Sequence, residues 1–506
     1  MHFKWESGIK RRTFPRWVLR LFQTHNYQET NPAGKRKQEH LKNMKIPSWF
    51  NQNRFTSIVR LSCAATLISV GVVSAILALP LSTNGSSTPT TQPLVINDSQ
   101  MQALSTTVGG AAPLSTARTV AHWFGTAPNP LDGVTYGFNM VGANPNTCSG
   151  SACDVTITVD ITPLKVNVGG LSFDGSAALA ATLASPLFAT YDFGSVPFAT
   201  AGSLNPRFPI GPGGPLSQLD AGNLLQLQDA TMRAQFNKVG ASNFHLRLNP
   251  VVHNTVTIDV PSGKGTIIVS GRGVLAADVN IQWWATRIQN LNNSLGYNDP
   301  THLALYLTQD TVNFIGTDPG NCCVIGFHGA AEVPSNTNNG PQLGNGNQPV
   351  QTYAWGSYTS PGLFARAFPP GGTGAVWALQ DIHPLSHEIS EWADDPFINN
   401  FVQPWGTPTA QSAGCSNLLE TGDPVTGIGF AIGTNTYLQG LNPNGTNSAD
   451  GHYHPEDEVY LPWFMRTAPN TISEPTQTPT TNIGRYTFMG TLNRFSGFNN
   501  PPGNCP

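Results

Sequence analysis

The sequence predicts an α+β protein in which a β-rich exported domain precedes a second α+β domain. Short runs of alternating β-branched residues fill the region 119–290, and such runs favour strands. A segment around residue 387 combines a helical apolar pattern with the densest group of metal-ligand side chains in the chain. Charged residues make up only 11% of the 506 residues, and 51 glycines and 41 prolines indicate many loops.

The first 60 residues differ in charge from the rest of the chain. They contain 13 Lys and Arg against 3 Asp and Glu, a net charge of +10; the whole chain carries −3, so the remainder carries −13. An uncharged apolar run, 61–81, follows this basic arm. The pattern predicts that the arm stays in the cytoplasm and that the acidic remainder is secreted or extracytoplasmic.

The run 61–81 fits either a signal peptide or a membrane anchor. It is near the lower working length of a bilayer-crossing helix, yet it ends in small residues and Pro80. Met44 begins a compact basic segment of its own, so we hypothesise that translation starts there and that 1–43 is an over-extended start. The membrane is a partner only through 61–81, if this run is not cleaved. No nucleic-acid partner is expected, because the basic residues are scattered and an export segment follows them.

The rest of the chain divides by composition. Residues 82–118 are rich in Ser, Thr, Pro and Gly and predict a flexible linker. The range 119–300 predicts an antiparallel β-rich domain, interrupted by one helix within 219–240. The range 301–470 contains the ligand-type residues and is the predicted metallohydrolase-like domain, followed by a C-terminal tail, 471–506.

Six cysteines lie in the predicted exported part. Cys148 and Cys153 bracket a Gly/Ser turn that a disulfide could close. The adjacent Cys322 and Cys323 are expected to reach different partners, with Cys415 and Cys505 also available. No CxxC pair exists, which disfavours a thiolate zinc site.

The principal motif is HExxE, formed by His387, Glu388 and Glu391. A helix brings positions i and i+4 onto one face, so His387 and Glu391 can share a metal while Glu388 acts as general base toward water. A helix is expected because Pro384 suits a first turn, an apolar stripe (Leu385, Ile389, Trp392) follows, and Pro396 ends the segment.

Carboxylates farther along the chain extend this motif. Glu420 follows Glu391 by 29 positions and is the predicted third ligand, with Asp423 beside it as a supporting group.

Asp394 and Asp395 lie at the predicted helix C-terminus, where negative charge needs a cation, a metal or backbone donors; simple turn chemistry before the proline is the alternative. His383 is a reserve ligand. Further candidate donors to a transition state are His328, His452, Tyr453 and His454.

The run from about 303 to 464 resembles secreted bacterial proteins of unassigned role. It carries CCVIGFHGA, TYAWGSYTSPG, SHEISEWADDP, LETGDP and YHPEDEVYLPWF in order, and those proteins share the SHExxExxxDP segment followed by ExxD. More distantly it is similar to plant phosphate-induced, exordium-like proteins. The resemblance implies a zincin-like domain in which His387, Glu388 and Glu391 carry the motif and Glu420 is the third ligand.

These observations predict an exported metal-dependent hydrolase, a zinc peptidase acting on a peptide or protein substrate. One histidine with two carboxylates around Zn²⁺ leaves no net charge, so the metal acidifies water less than a two-histidine site does. Such an oxygen-rich set also suits Mn²⁺ or Ca²⁺, with zinc as first choice. The alternative is a non-catalytic cell-envelope or matrix protein, binding glycan, with a structural metal or a degenerate zincin site.

Overall fold

The computed structural model describes residues 109–110, 119–193, 224–238, 242–270, 273–332, 349–364, 380–406, 415–426, 429–437, 451–467 and 486–488. The basic arm 1–60, the apolar run 61–81 and Cys505 lie outside this set, so our expectations for them are predictions only. Nearly all of the linker 82–118 and of the tail 471–506 lies outside it as well.

The described residues form a mixed structure with more strand than helix, which is compatible with the α+β prediction. The strands are β1 (Gly109–Gly110), β2 (His122–Pro128), β3 (Thr135–Val141), β4 (Asp154–Val168), β5 (Leu171–Asp174), β6 (Tyr191–Asp192), β7 (Leu224–Leu225), β8 (His245–Val252), β9 (Val256–Asp259), β10 (Gly265–Val269), β11 (Leu275–Asn280), β12 (Leu303–Gln309), β13 (Thr311–Phe314), β14 (Cys322–Val324), β15 (Gly326–Glu332), β16 (Val350–Tyr358), β17 (Phe401–Gly406) and β18 (Cys415–Leu418). The α-helices are α1 (Leu179–Ala184), α2 (Leu227–Gln235), α3 (Ile281–Ser294), α4 (His383–Asp394) and α5 (Leu461–Phe464).

The largest sheet has seven strands in the described part of the chain. Its path is β15-β16-β12-β4-β5, and β8 and β9 also pair with the long strand β4. Strand β12 is parallel to both of its neighbours, and β8 and β9 are parallel to β4. The expectation of an antiparallel domain is therefore wrong where β8 and β9 pair with β4. It is confirmed for three pairs, β2 with β3, β4 with β5 and β10 with β11. Their alternating β-branched pattern is the same in either direction, so the sequence alone did not distinguish the two.

Strand β12 separates two hydrophobic clusters. Leu303, Leu305 and Leu307 lie in one cluster together with residues of α4, whereas Ala304 and Tyr306 lie in the other, together with residues of α3. Neighbouring residues of a strand point to opposite faces, so one strand can serve both clusters. The strand is buried at all seven positions, as expected for a parallel strand covered on both faces.

The sheet joins the two ranges that composition separated. Strand β4 comes from the range 119–300, β12 and β16 come from 301–470, and β12 hydrogen-bonds between the other two. The predicted boundary at residue 300 therefore falls between regions that share one sheet. A smaller four-stranded sheet, in the order β10-β11-β13-β14, also combines strands from both ranges.

Both predicted helices are present. Helix α2 lies within 219–240 but begins only at Leu227, because Leu224 and Leu225 pair with β6 instead. Helix α4 spans His383–Asp394, with Pro384 in its first turn. Its predicted stripe, Leu385, Ile389 and Trp392, is fully buried and packs with the sheet.

The cysteines confirm one expectation and correct another. Cys148 and Cys153 form a disulfide with a Cα–Cα distance of 5.2 Å. Cys322 and Cys323 are joined to each other across a cis peptide bond, so the expectation of separate partners is wrong. Both side chains are buried in one hydrophobic cluster.

Among the described residues, no helix combines the length and the apolar character that a membrane span requires. The apolar run 61–81 is not one of these residues.

The central strand generates a stability prediction. Replacing Leu305 with Ala removes a fully buried side chain from the cluster that contains α4, and we expect the free energy of unfolding to fall by about 2–5 kcal/mol. Leu224→Ala is the matched control, because this leucine is 65% exposed and should change stability by less than about 0.5 kcal/mol. Urea denaturation measures both, and equal effects would contradict the assignment of β12 to the core.

Candidate metal centre

Helix α4 carries its polar residues beside the buried apolar stripe. The helix packs on β15 and β16, and the indole Nε1 of Trp392 donates a hydrogen bond of 3.0 Å to Thr352 Oγ1 on β16. Ser390 Oγ lies 3.1 Å from Thr421 Oγ1, which joins the helix to the segment that contains Glu420 and Asp423. These contacts fix the face that presents the HExxE residues.

His387 is held on both sides of its imidazole. Its Nδ1 lies 2.8 Å from Glu456 Oε2, and its Nε2 lies 3.0 Å from Glu391 Oε1 and 3.8 Å from Asp423 Oδ1. A carboxylate bonded to one ring nitrogen orients the other nitrogen as a metal ligand. The His387 side chain is 14% exposed, more than those of its three carboxylate partners.

Glu456 is the residue that the sequence analysis missed. It lies in the run HPEDE, where we named only His and Tyr candidates, and no spacing rule connects it to a histidine 69 positions earlier. Its backbone N–H donates to Ser386 Oγ at 2.9 Å, and its Oε2 also lies 3.1 Å from His383 Nε2. Two imidazoles from successive turns of α4 therefore meet at one carboxylate oxygen, and His383 supports Glu456 in this arrangement.

His328 approaches the HExxE face from β15. Its Nδ1 lies 3.4 Å from Glu388 Oε2 and 3.6 Å from Glu391 Oε2, and its Nε2 lies 4.0 Å from Glu420 Oε2. We expected His328 only as a donor to a transition state. The structure places it among the carboxylates themselves, with its side chain 3% exposed.

Two groups of potential ligand atoms result. In the described part of the chain, the atoms of His387, Glu391 and Asp423 lie within 4.8 Å of one another, and so do those of His328, Glu388 and Glu391. Asp423, expected as a supporting group, thus lies with the first ligand set. Glu420 is in neither group, so its role as third ligand is still a prediction.

Glu420 nevertheless suits a cation. Its side chain is fully buried, and neither carboxylate oxygen has a hydrogen-bond partner among the described residues. Buried polar atoms are almost always hydrogen-bonded or coordinated. The same is true of His328 Nε2, which is buried without a hydrogen-bond partner in the described structure. The residues present therefore fit a divalent ion.

Charges within the group shift the pKa values of its members in opposite directions. Burial would lower the pKa of His387, but Glu391 and Glu456 raise it well above its usual value. Burial would raise the pKa of Glu391, yet the charge of His387 lowers it. Burial and the neighbouring Glu391 raise the pKa of Glu420 and of Asp423 well above the usual range. The pKa of Glu388 is raised, mainly by burial.

The remaining candidates have other partners. His452 Nδ1 lies 2.6 Å from the Gly433 carbonyl oxygen, and His454 Nδ1 lies 2.6 Å from Asp381 Oδ2. Tyr453 is buried in the main hydrophobic cluster, and burial raises its pKa to about 12. Neither ligand group of the described residues includes His452 or His454.

Asp394 and Asp395 stabilise the C-terminal end of α4. Gln235 Nε2 of α2 donates to Asp394 Oδ1 at 2.7 Å, and the backbone N–H groups of Asn399 and Asn400 donate to Asp395 Oδ1 at 2.9 and 3.1 Å. Side-chain and backbone donors thus hydrogen-bond both carboxyl groups. Asn400 in turn exchanges two hydrogen bonds with the backbone of Asn139 on β3, at 2.7 and 2.8 Å.

Two glycines allow the backbone to approach the ligand residues. A Cβ at Gly326 would lie 2.5 Å from Glu388 Oε1, and one at Gly422 would collide with the imidazole of His387. Gly422 has φ −82°, a value that any residue adopts, so space rather than backbone conformation requires glycine there.

We expect Gly422→Ala to push the ring of His387 away from Glu456 and to lower the free energy of unfolding by about 1–3 kcal/mol. Gly296→Ala is the matched control, because no atom lies within 4 Å of its added methyl group. Chemical denaturation of both variants checks this. A Gly422 variant as stable as the control would show that the ring is not tightly held.

The raised pKa values predict the pH dependence of the metal-free protein. Burial raises the pKa of Asp394 and of Asp395 to about 7, so the folded state holds protons that the unfolded state has released. Their stabilising contribution is present below the unfolded pKa of about 4 and is lost as pH rises through about 7. The raised pKa of His387 also makes the folded state less stable as pH rises above about 6.5.

We therefore expect the free energy of unfolding to fall between about pH 5 and about pH 8 when the protein is free of metal. Urea denaturation in chelator at constant ionic strength measures it. A stability that rises with pH across this window would contradict the burial of these carboxylates.

Comparison of the chain with protein-family models, with curated proteins and with solved structures gave no match. These comparisons therefore neither support nor oppose the resemblance to exordium-like proteins. The function of the chain has to be inferred from the geometry of His387, Glu391 and their neighbours.

Proposed function

We propose that this chain is an exported metal-dependent hydrolase, a peptidase with a zincin-like site. One observation carries the proposal: His387 Nε2, Glu391 and Asp423 come together on one side of an imidazole whose other nitrogen is bonded to Glu456. This pairing of a carboxylate with a metal-ligand histidine is common in zinc proteins. Export is proposed from the basic arm and the apolar run of the sequence.

His387, Glu391 and Asp423 are the residues proposed to hold the ion, with Glu420 as a further predicted ligand. Zinc is the first choice, and the oxygen-rich donor set also suits Mn²⁺ or Ca²⁺. When bound, such an ion polarises a carbonyl oxygen and acidifies water.

Glu388 is the proposed general base. Its carboxylate is buried beside Glu391 and 3.4 Å from His328 Nδ1, and its raised pKa brings it nearer to neutrality, where a base both accepts and releases a proton. His328, on strand β15, orients the Glu388 carboxylate. Glu388 would take a proton from water and pass it to the leaving amine of a peptide.

Substrate would reach the ligand group at His387. This residue has the most exposed side chain of the group, and a peptide carbonyl is the oxygen that a Lewis acid at this position could polarise. Tight enclosure of Glu391, Glu420 and Asp423 by protein excludes bulk water from the rest of the group and strengthens its electrostatic interactions.

The same burial favours one alternative, a non-catalytic envelope or matrix protein with a structural metal. Structural sites are closed by protein ligands, and the carboxylates here are at most 8% exposed at their side chains. In that case the ion would contribute stability and no hydrolysis. Glycan binding by the remaining surface would then be the activity to seek.

Glu388→Gln separates the two functions. If Glu388 is the base, the variant should keep stoichiometric zinc and lose about 10²–10⁴-fold of the rate at which the protein cleaves fluorescein-labelled casein or a library of internally quenched peptides. Zinc content by mass spectrometry and initial rates by fluorescence measure both quantities.

Glu458→Gln is the matched control. Burial raises the pKa of Glu458 as it does that of Glu388, but Glu458 belongs to neither ligand group of the described residues. The hydrolase proposal fails if the purified protein binds no zinc, or if Glu388→Gln cleaves as fast as this control. Stoichiometric zinc without cleavage of either substrate would favour the structural role.

A further inference from the structure

We propose that His328, Glu388 and Glu391 form a second divalent-cation site, which shares Glu391 with the first. The inference rests on the proposed function, since the first site is the one described there. It deepens that function by assigning regulation: a cation in the second site would engage the carboxylate of the general base.

The two oxygens of Glu391 face different histidines. Oε1 lies 3.0 Å from His387 Nε2, and Oε2 lies 3.6 Å from His328 Nδ1. The ligand atoms of His328, Glu388 and Glu391 lie within 4.8 Å of one another, as those of the first group do. Glu391 therefore stands where a carboxylate bridges two ions, a common feature of hydrolases with two metals.

Unpartnered atoms lie at the other nitrogen of the His328 ring. Glu420 Oε2 lies 4.0 Å from His328 Nε2, and this nitrogen and both Glu420 oxygens are buried without hydrogen-bond partners in the described structure. The side chains of Glu420 and His328 are 0% and 3% exposed. Leaving such groups without partners is costly. With a cation on Nδ1, the Nε2 of the neutral ring carries the proton and faces Glu420, and a carboxylate at the second nitrogen orients a ligand histidine.

The charge of the group also favours two ions over one. Five carboxylates (Glu388, Glu391, Glu420, Asp423 and Glu456) are packed with the histidines His328, His383 and His387. One divalent ion would leave three negative charges among the five carboxylates if all were ionised, and a second would leave one. Buried carboxylates without compensating charge are strongly destabilising.

The donors identify the class of ion. One imidazole and two carboxylates form an oxygen-rich set, which suits Mn²⁺ better than a set dominated by histidine does. Since Glu388 belongs to this set, hydrolysis that needs its free carboxylate should rise with the first equivalent of metal and fall with the second.

The test uses the full-length chain, freed of metal and titrated with Mn²⁺. Equilibrium dialysis with elemental analysis should give two ions per wild-type chain and one per chain of the variant His328→Ala. His302→Ala is the matched control and should bind two, because His302 bonds to Asp160 instead of the ligand groups. Electron paramagnetic resonance should show coupling between the two ions in the wild type and none in His328→Ala.

Glu388→Gln provides an isosteric second variant in case His328→Ala does not fold. It should weaken the binding of the second ion by more than about tenfold and leave the first ion in place, because Glu388 belongs to the second ligand group alone. Two uncoupled ions that both persist in the variants would overturn the inference, because the second ion would then lie elsewhere.

A single ion in the wild type, retained in both variants, would also overturn the second site and leave the proposed hydrolase intact. Binding of no Mn²⁺ and no Zn²⁺ would overturn both proposals. Casein cleavage that does not fall when the second equivalent binds would refute the regulatory role of that ion alone.

Discussion

The hydrogen bond between His387 and Glu456 determines what the rest of the ligand group can do. An imidazole has two nitrogens, and the 2.8 Å contact at Nδ1 leaves Nε2 facing Glu391 and Asp423. Without Glu456 the ring could rotate, and its lone pair would lose a fixed direction. Ser386 and His383, both on α4, hold Glu456 in place. Glu456 in turn orients His387, a third residue of the same helix.

Packing on the central sheet holds helix α4 in a fixed position. Leu385, Ile389 and Trp392 are buried against the cluster that includes one face of β12, while the other face of that strand belongs to a separate cluster. Helix α4 therefore cannot shift without disturbing packing in the centre of the sheet. His328 comes from β15 at the edge of the same sheet, so both ligand groups have positions set by secondary structure instead of by mobile side chains alone.

The sequence predicted helix α4 and its HExxE face because the signal is local: Pro384, the stripe and the ligand spacing all fall within one short segment. It predicted many strands for the same reason. It predicted the wrong direction for the central strands, since parallel pairs such as β4 with β12 join residues far apart in the chain. It also missed Glu456, whose role arises only from a contact over 69 positions, and underestimated His328, for which β15 provides the approach. The strand directions and the positions of Glu456 and His328 depend on contacts between residues far apart in the chain. The local patterns of a single sequence do not show such contacts.

The hydrogen bonds of Asn400 and Gln235 have a consequence for how this protein can evolve. They join the end of α4 to β3 and α2, both of which precede residue 300, and β4 from the same range lies beside β12. Recombination that transferred only the later range to another gene would leave β12 without its hydrogen-bonded neighbour β4. It would also remove the hydrogen bonds that hold the C-terminal end of α4. The ligand-bearing helix and the earlier strands must therefore be inherited together, and substitutions in either range act on the same folded body.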